Sequence, residues 1–287
     1  MSTSPFAGTA QYYAKYRLDY PEALIALVRD AFRLDGRGRL LDVGCGTGKL
    51  TIPLGRYFEH TVAVDPDPGM LCELGDQLRR GGEDSDGDAA QAGTISTLLA
   101  RAEECRPQEL GTFRLIASGD AFHWMDRDRV LCLWHRMLAP GAIRDESSTK
   151  SGIAIVGTGG GSMSAPADWQ KAVWDVIRRW LGPERRNAGW QKDARRHEDV
   201  IKESGLFTIT AVGAVPATHV RDVDSIIGFL YSTSFCSRSL LGENAPRFEE
   251  DLRRTLLKVE PSGRFLEEVS AGYILARPLA VSSGRSE

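Results

Sequence analysis

The chain has 287 residues, of which 42% are apolar, enough for one elaborated domain with a substantial core. A formal net charge of −3 and a pI near 6.0 argue against the basic surface that nucleic-acid binding requires. No apolar run is long enough to span a bilayer, and the start lacks a basic-then-apolar leader pattern. Cys45, Cys72, Cys105, Cys132 and Cys236 are scattered, with no C-x-x-C pair, so reduced thiols, no metal site and a soluble cytoplasmic protein are expected.

Residues 1–9 are small and polar and read as a frayed end. Ala10–Arg17 then reads as a helix in which Tyr12 and Tyr16 share a face, with Tyr13 beside them. Pro21–Phe32 carries an amphipathic stripe of Leu24, Leu27, Val28 and Phe32. A strand over Arg39–Val43 runs into Gly44-Cys45-Gly46-Thr47-Gly48, followed by a helix over about Lys49–Phe58. A strand over Val62–Asp65 and a helix over Met70–Arg80 come next, then an acidic loop over Gly81–Gly93 that lacks the ligand set of an EF-hand.

Thr94–Ala100 and Phe113–Ser118 read as the third and fourth strands. The fourth delivers Gly119-Asp120-Ala121-Phe122-His123-Trp124, ahead of a helix over Asp128–Leu138. A polar insertion over 142–151 precedes a strand at Gly152–Gly157 and a glycine-rich exit at Gly157–Ser164. Ala167–Leu181 is helical and carries Trp169, Trp174 and Trp180; Arg185, Arg186, Arg195 and Arg196 form only a small basic patch. A helix over Glu198–Ser204, a strand over Phe207–Val215, helices over Val223–Phe235 and Phe248–Val259, and a last strand over Val269–Ala276 complete the chain.

The glycine loop carries the first chemical signal. It fails the G-x-G-x-x-G dinucleotide pattern because Lys49 falls where the third glycine should be, and it fails the phosphate-loop pattern because Leu50 follows Gly48-Lys49. What remains, Asp42-x-Gly44-x-Gly46-x-Gly48, lets the backbone turn sharply and a ligand approach where a Cβ would intrude. Asp65 closes the neighbouring strand, where a carboxylate can accept from both hydroxyls of a ribose or cap the next helix.

These segments resemble the class I S-adenosylmethionine (SAM) dependent methyltransferases of the type 11/25 group, bacterial small-molecule enzymes. Asp42–Gly48 resembles motif I, and Val64-Asp65-Pro66-Asp67-Pro68-Gly69-Met70-Leu71 resembles the "V-D-x-S/P-x-x-M-L" pattern. The Tyr13–Pro21 stretch is similar to "Y-x-x-Y-R-P-x-Y-P", with Leu18 in place of a proline, and Ala121–Trp124 to "A-x-A-x-H-W". The resemblance implies an α/β fold, a doubly wound, mostly parallel seven-stranded sheet of order 3-2-1-4-5-7-6, Rossmann-like, with helical cap insertions. It implies an N-terminal cap segment (1–38), a SAM-binding core (39–161), cap insertions shaping an acceptor pocket (162–262) and a final strand and tail (263–287).

It further implies SAM as cofactor and S-adenosylhomocysteine as product, with Tyr16, Arg17, Asp42, Gly44, Cys45, Gly46, Gly48, Asp65, Pro66, Met70, Ala102, Glu103, Ser118, Gly119, Asp120 and Trp124 around the cofactor. Tyr12, Tyr13, His123, Trp169 and Phe235 are candidates for the acceptor side. His123 is either a general base for an acceptor that loses a proton or a packed ring that shapes the pocket. The expected acceptor is a small secondary metabolite methylated at O, N or C, with no nucleic-acid or membrane partner, the protein being a monomer or homodimer. The alternatives are a SAM-binding protein without transferase activity and an enzyme acting on a macromolecule.

Overall fold

The computed structural model describes residues 6–83, 93–138, 150–158, 166–183 and 193–280. Residues 84–92 of the acidic loop, 142–149 of the polar insertion, the glycine-rich 159–164, Arg185 and Arg186 lie outside the described residues. In chain order, α1 (Ala10–Tyr16) and α2 (Glu22–Ala31) precede β1 (Arg39–Val43), α3 (Thr51–Gly55), β2 (His60–Asp65), α4 (Pro68–Glu83) and β3 (Thr94–Leu99). Then follow α5 (Pro107–Leu110), β4 (Leu115–Gly119), α6 (Arg127–Met137), β5 (Gly152–Gly157), α7 (Asp168–Leu181) and α8 (His197–Glu203). The chain continues with β6 (Phe207–Asp222), α9 (Val223–Tyr231), α10 (Arg238–Leu241), α11 (Ala245–Val259) and β7 (Arg264–Pro278).

The strands form one sheet in the order β3-β2-β1-β4-β5-β7-β6. Its first five members pair in parallel, and β7 runs antiparallel between β5 and β6. The expected doubly wound sheet is therefore present, with its switch point between β1 and β4. Successive residues of a strand face opposite sides, and the sequence exploits this with apolar residues at both parities. Leu41, Val43, Ile116 and Ile155 pack with Trp134 of α6 and Val200 of α8. Leu40, Leu115, Ala117 and Val156 pack on the other face with Leu24 and Val28 of α2 and Leu54 of α3.

A third apolar cluster stands apart from the sheet. Val176 and Ile177 of α7, Ile226 and Tyr231 of α9, and Phe248, Leu252 and Leu256 of α11 pack together, with Phe265 from β7. These elements form the cap, whereas α8 contributes Val200 and Ile201 to the sheet core. A long ribbon joins cap to sheet. β6 was expected to end at Val215 and β7 to begin at Val269, yet pairing continues to Asp222↔Arg264. Pro216 lies within β6, an edge strand, the place in a sheet where a residue without an N–H is tolerated. Phe265 is 1% and Leu266 57% exposed, the alternation of a two-stranded ribbon with one face buried. Among the described residues no helix is long and apolar enough to cross a membrane.

Candidate active site

The glycine loop turns through the left-handed region three times, with φ of +73° at Gly44, +52° at Gly46 and +91° at Gly48. The three glycines answer different needs. A Cβ at Gly44 would collide with the Ala121 methyl and one at Gly48 with the Leu74 side chain, so both are required by packing. At Gly46 an added Cβ would meet only the Tyr13 ring, at 3.8 Å, so this glycine opens onto free space. The loop is tied to β2, because Gly44 N and Cys45 N both donate to Val64 O, at 2.8 and 2.9 Å.

Asp42 lies beneath the loop, fully buried. Its Oδ2 accepts from Thr51 Oγ1 at 2.5 Å, while Oδ1 has no partner among the described residues. Burial pushes its carboxyl up to about 7, with the Thr51 bond opposing and the Asp65 charge adding to the rise. Asp65 stands at the end of β2, where Oδ2 accepts from Gly46 N and Oδ1 from Asp67 N, both at 2.9 Å. Burial raises Asp65 to about 6 against these two backbone bonds. The helix-capping role open to Asp65 is filled by Asp67, whose Oδ1 accepts from Gly69 N at 2.9 Å and Met70 N at 3.4 Å at the start of α4.

The end of β4 forms the opposite wall. Ser118 Oγ donates to Val43 O at 2.9 Å, stapling β4 to β1. A Cβ at Gly119 would lie 2.5 Å from Tyr20 Oη, so only glycine admits that tyrosine. Asp120 adopts φ +51°, a conformation acids accept more readily than most residues. Its carboxylate accepts from Tyr20 Oη at 3.0 Å, from Thr158 N at 3.0 and 3.1 Å and from Thr158 Oγ1 at 2.7 Å, binding the ends of β4 and β5 together. Burial, reinforced by the Asp120 charge, pushes the Tyr20 phenol well above its usual range.

These ends enclose a crevice of about 170 Å³. Of the residues expected around the cofactor, Gly44, Gly46, Asp65, Pro66 and Met70 line it from the β1 and β2 side, and Ala102, Glu103, Gly119, Asp120 and Trp124 from the β3 and β4 side. Tyr13, expected on the acceptor side, also lines it. Asp42, Cys45, Gly48 and Ser118 lie behind the lining and hold it in shape. Phe6, Asp67, Ala100, Arg101, Ala121 and Met125 line the crevice and were not singled out from sequence. Phe6 sits in the stretch read as frayed, yet its ring meets Trp124 edge-on at 5.5 Å and Thr9 beside it is 1% exposed. An aromatic residue in an otherwise small, polar end was the available signal.

His123 follows Phe122 in a short 3-10 turn, and its ring lies against Trp124 (5.3 Å between centroids) and stacks on His197 at 6.3 Å and 18°. Arg127, 3% exposed, donates from Nη1 to His197 Nδ1 at 2.9 Å and pairs with Asp193 at 2.6 Å. Burial first, then the Arg127 charge, lowers His197 to about 4, so that ring is neutral near pH 7.

The N-terminal helix joins crevice to cap. The Tyr16 ring fills the space where a Gly228 side chain would stand, and Tyr12 packs edge-on against Tyr231 at 5.2 Å. Arg17 donates from Nε to Ser232 Oγ at 2.9 Å, and its guanidinium lies 5.0 Å from the ring centres of both Tyr13 and Phe229. Trp169 and Phe235 line a second cavity, of about 120 Å³, inside the cap.

The crevice fits SAM by its chemistry. Asp65, Asp67, Glu103 and Asp120 outnumber Arg101 among its charged lining residues, an environment for a ligand bearing a sulfonium and an ammonium. Both Asp65 oxygens retain lone pairs for a ribose diol, and Gly46 leaves the floor free of side chain.

Sheet order and crevice together give the chain the fold of the SAM-dependent methyltransferases that it resembles. Residues 41–143 match the family model of a methyltransferase domain. An uncharacterised methyltransferase of Mycobacterium tuberculosis is 36% identical over 137 residues, 47% of this chain and 48% of that protein. The probable S-adenosylmethionine-dependent methyltransferase CRG1 of Saccharomyces cerevisiae is 26% identical over 119 residues, 42% of this chain and 38% of that one. The chain thus spans about half the length, or less, of these curated relatives. A solved structure described as a type II methyltransferase from Anaeromyxobacter dehalogenans superposes with a TM-score of 0.55 at 19% identity, covering 92% of this chain and 98% of that one, a likeness of fold.

Proposed function

We propose that the protein transfers the methyl group of SAM to an O, N or C atom of a small organic molecule, releasing S-adenosylhomocysteine. The observation that carries this reading is the acid-lined crevice at the carboxyl ends of β1, β2 and β4, with Asp65 on its wall and Gly46 on its floor. The sulfonium supplies an already activated methyl group, so the protein's task is alignment and exclusion of water.

Each part of the chain has a role in that task. Asp65 accepts from the ribose hydroxyls and fixes the adenosine along the β2 edge. Ala102 and Glu103 border the adenine, with Glu103 held by its bond from Asp126 N at 2.8 Å. Asp120, locked by Tyr20 and Thr158, faces the positive end of the cofactor with a carboxylate that cannot rotate away. Phe6, Tyr13 and Trp124 wall the crevice against solvent. Arg17 reaches the methionine carboxylate if its side chain leaves Ser232.

For His123 the stacking on His197 supports the packed-ring reading, in which it fixes the turn that presents Ala121 and Trp124. A small acceptor is supported by the net charge of −3 and by the apolar cavity in the cap. Secondary metabolism and a cytoplasmic setting belong to this same reading.

The test is incubation of purified protein with methyl-labelled SAM and a panel of small hydroxylated, amino and activated-carbon acceptors. Label should move to an acceptor with equal release of S-adenosylhomocysteine. Tight SAM retention without turnover across the panel would favour a binding protein. Transfer only to RNA or protein would reject the small-molecule acceptor.

A further inference from the structure

The cap cavity has a chemistry of its own, distinct from the crevice. Trp174 stacks on Phe235 at 5.4 Å and 18° along one wall, and Trp169 and Phe229 add two more rings. Aliphatic side chains of α7 and α9 complete the apolar surface. Its charged lining is Arg221 with Glu267, from the last paired residues of the β6–β7 ribbon.

Arg221 is only 4% exposed, and its hydrogen bonding is incomplete. Nε donates to Glu267 Oε2 at 2.5 Å and Nη1 donates to Tyr16 O at 3.2 Å. Nη2 makes no hydrogen bond among the described residues. Nη2 is open to the cavity and not sealed in the core, so a group that fills the cavity must replace the hydrogen bond this donor makes to solvent. The lining determines which ligand group suits it. Glu267 already neutralises the guanidinium, so a second carboxylate would enter as an uncompensated buried charge. A neutral carbonyl or hydroxyl oxygen completes the donor set at no such cost.

We propose that this cavity binds a single-ring apolar ligand bearing a neutral oxygen, which accepts from Arg221 Nη2 while the ring lies among the cap aromatics. The volume agrees with one ring: this cavity measures about 120 Å³, and an engineered apolar cavity of about 150 Å³ holds benzene. Arg17 touches both linings, its guanidinium lying 5.0 Å from the Tyr13 ring of the crevice and 5.0 Å from the Phe229 ring of the cavity. On the methyl-transfer reading, and resting on it, the ring is the non-reacting end of the acceptor. The binding site itself does not depend on turnover.

The test uses ligand-observed fluorine NMR on the full chain with 4-fluoroacetophenone, 4-fluoroethylbenzene and 4-fluorobenzoate as probes. The ketone should bind at least about tenfold more tightly than the hydrocarbon and the carboxylate, the ratio set by one hydrogen bond to a charged donor. Val173→Trp, which fills the cavity, should abolish ketone binding while S-adenosylhomocysteine binding stays within twofold, a control for folding. Arg221→Met/Glu267→Met, which removes both charges together, should bind ketone and hydrocarbon equally. The proposal is overturned if the folded wild type binds none of the probes at millimolar concentration, or if benzoate binds best. It is equally overturned if Val173→Trp leaves ketone binding intact, or if the double variant keeps the preference. Loss of S-adenosylhomocysteine binding in wild type would sink the methyltransferase reading and leave this one standing.

Discussion

The crevice at the sheet edge and the cavity in the cap are built from different materials. The crevice is made of backbone and acids: strand ends, three left-handed glycines and carboxylates tied to main-chain amides. The cap cavity is made of side chains, chiefly aromatic rings from α7, α9 and the segment after α9, around one buried ion pair. The first tolerates little change because its shape is the path of the chain itself. The second can be reshaped by single substitutions without moving the backbone. On the proposed function, an adenosyl cofactor of constant form and an acceptor of varying form call for this division.

The largest expected effect tests whether the two regions are separate in stability. Phe248 is fully buried in the cap cluster and far in sequence from the crevice. Phe248→Ala should cost about 3–5 kcal/mol by chemical denaturation. Affinity for S-adenosylhomocysteine under native conditions should change less than threefold, and a parallel collapse of both would show that cap and crevice fold as one unit.

Next is the acid under the glycine loop. The folded-state carboxyl of Asp42 is raised from 3.8 to about 7, so between these values the native state holds a proton that the unfolded chain releases. Its contribution to stability is therefore present below about pH 4 and lost as pH rises toward 7. The stability of wild type relative to Asp42→Asn should fall by roughly 2–4 kcal/mol across that window. A difference that does not change with pH would mean that Asp42 is ionised throughout.

Much of this division was legible in the sequence. The strands Arg39–Val43 and Gly152–Gly157 have the limits their patterns indicate, because each is a short apolar run bounded by glycine or arginine. The crevice was legible because its residues, Phe6 and Tyr13 apart, lie in four short stretches, each at the end of a strand. What escaped depended on distant partners. Phe6 is ordered by Trp124, and Arg17 is held by Ser232 and Phe229, more than 200 positions away. The ribbon beyond Val215 is held by strand pairing that local propensity around Pro216 does not indicate. The cap cavity needed α7, α9 and both ends of the ribbon at once.

A smaller effect separates positioning from proton transfer at His123. His123→Ala should lower turnover less than tenfold, with KM for the acceptor rising as the turn loosens. A general base would cost about 10²-fold or more in turnover, with a basic limb missing from the pH profile.

Asp65 offers the most direct test. Titration calorimetry of S-adenosylhomocysteine should show Asp65→Ala weakening binding by about 1–3 kcal/mol, as lost charged hydrogen bonds predict. In wild type the affinity should fall below pH 6, by up to about tenfold per unit, because Asp65 takes up a proton there. Unchanged affinity in Asp65→Ala, with no dependence on pH between 5 and 7 in wild type, would contradict the assignment of this crevice to the cofactor.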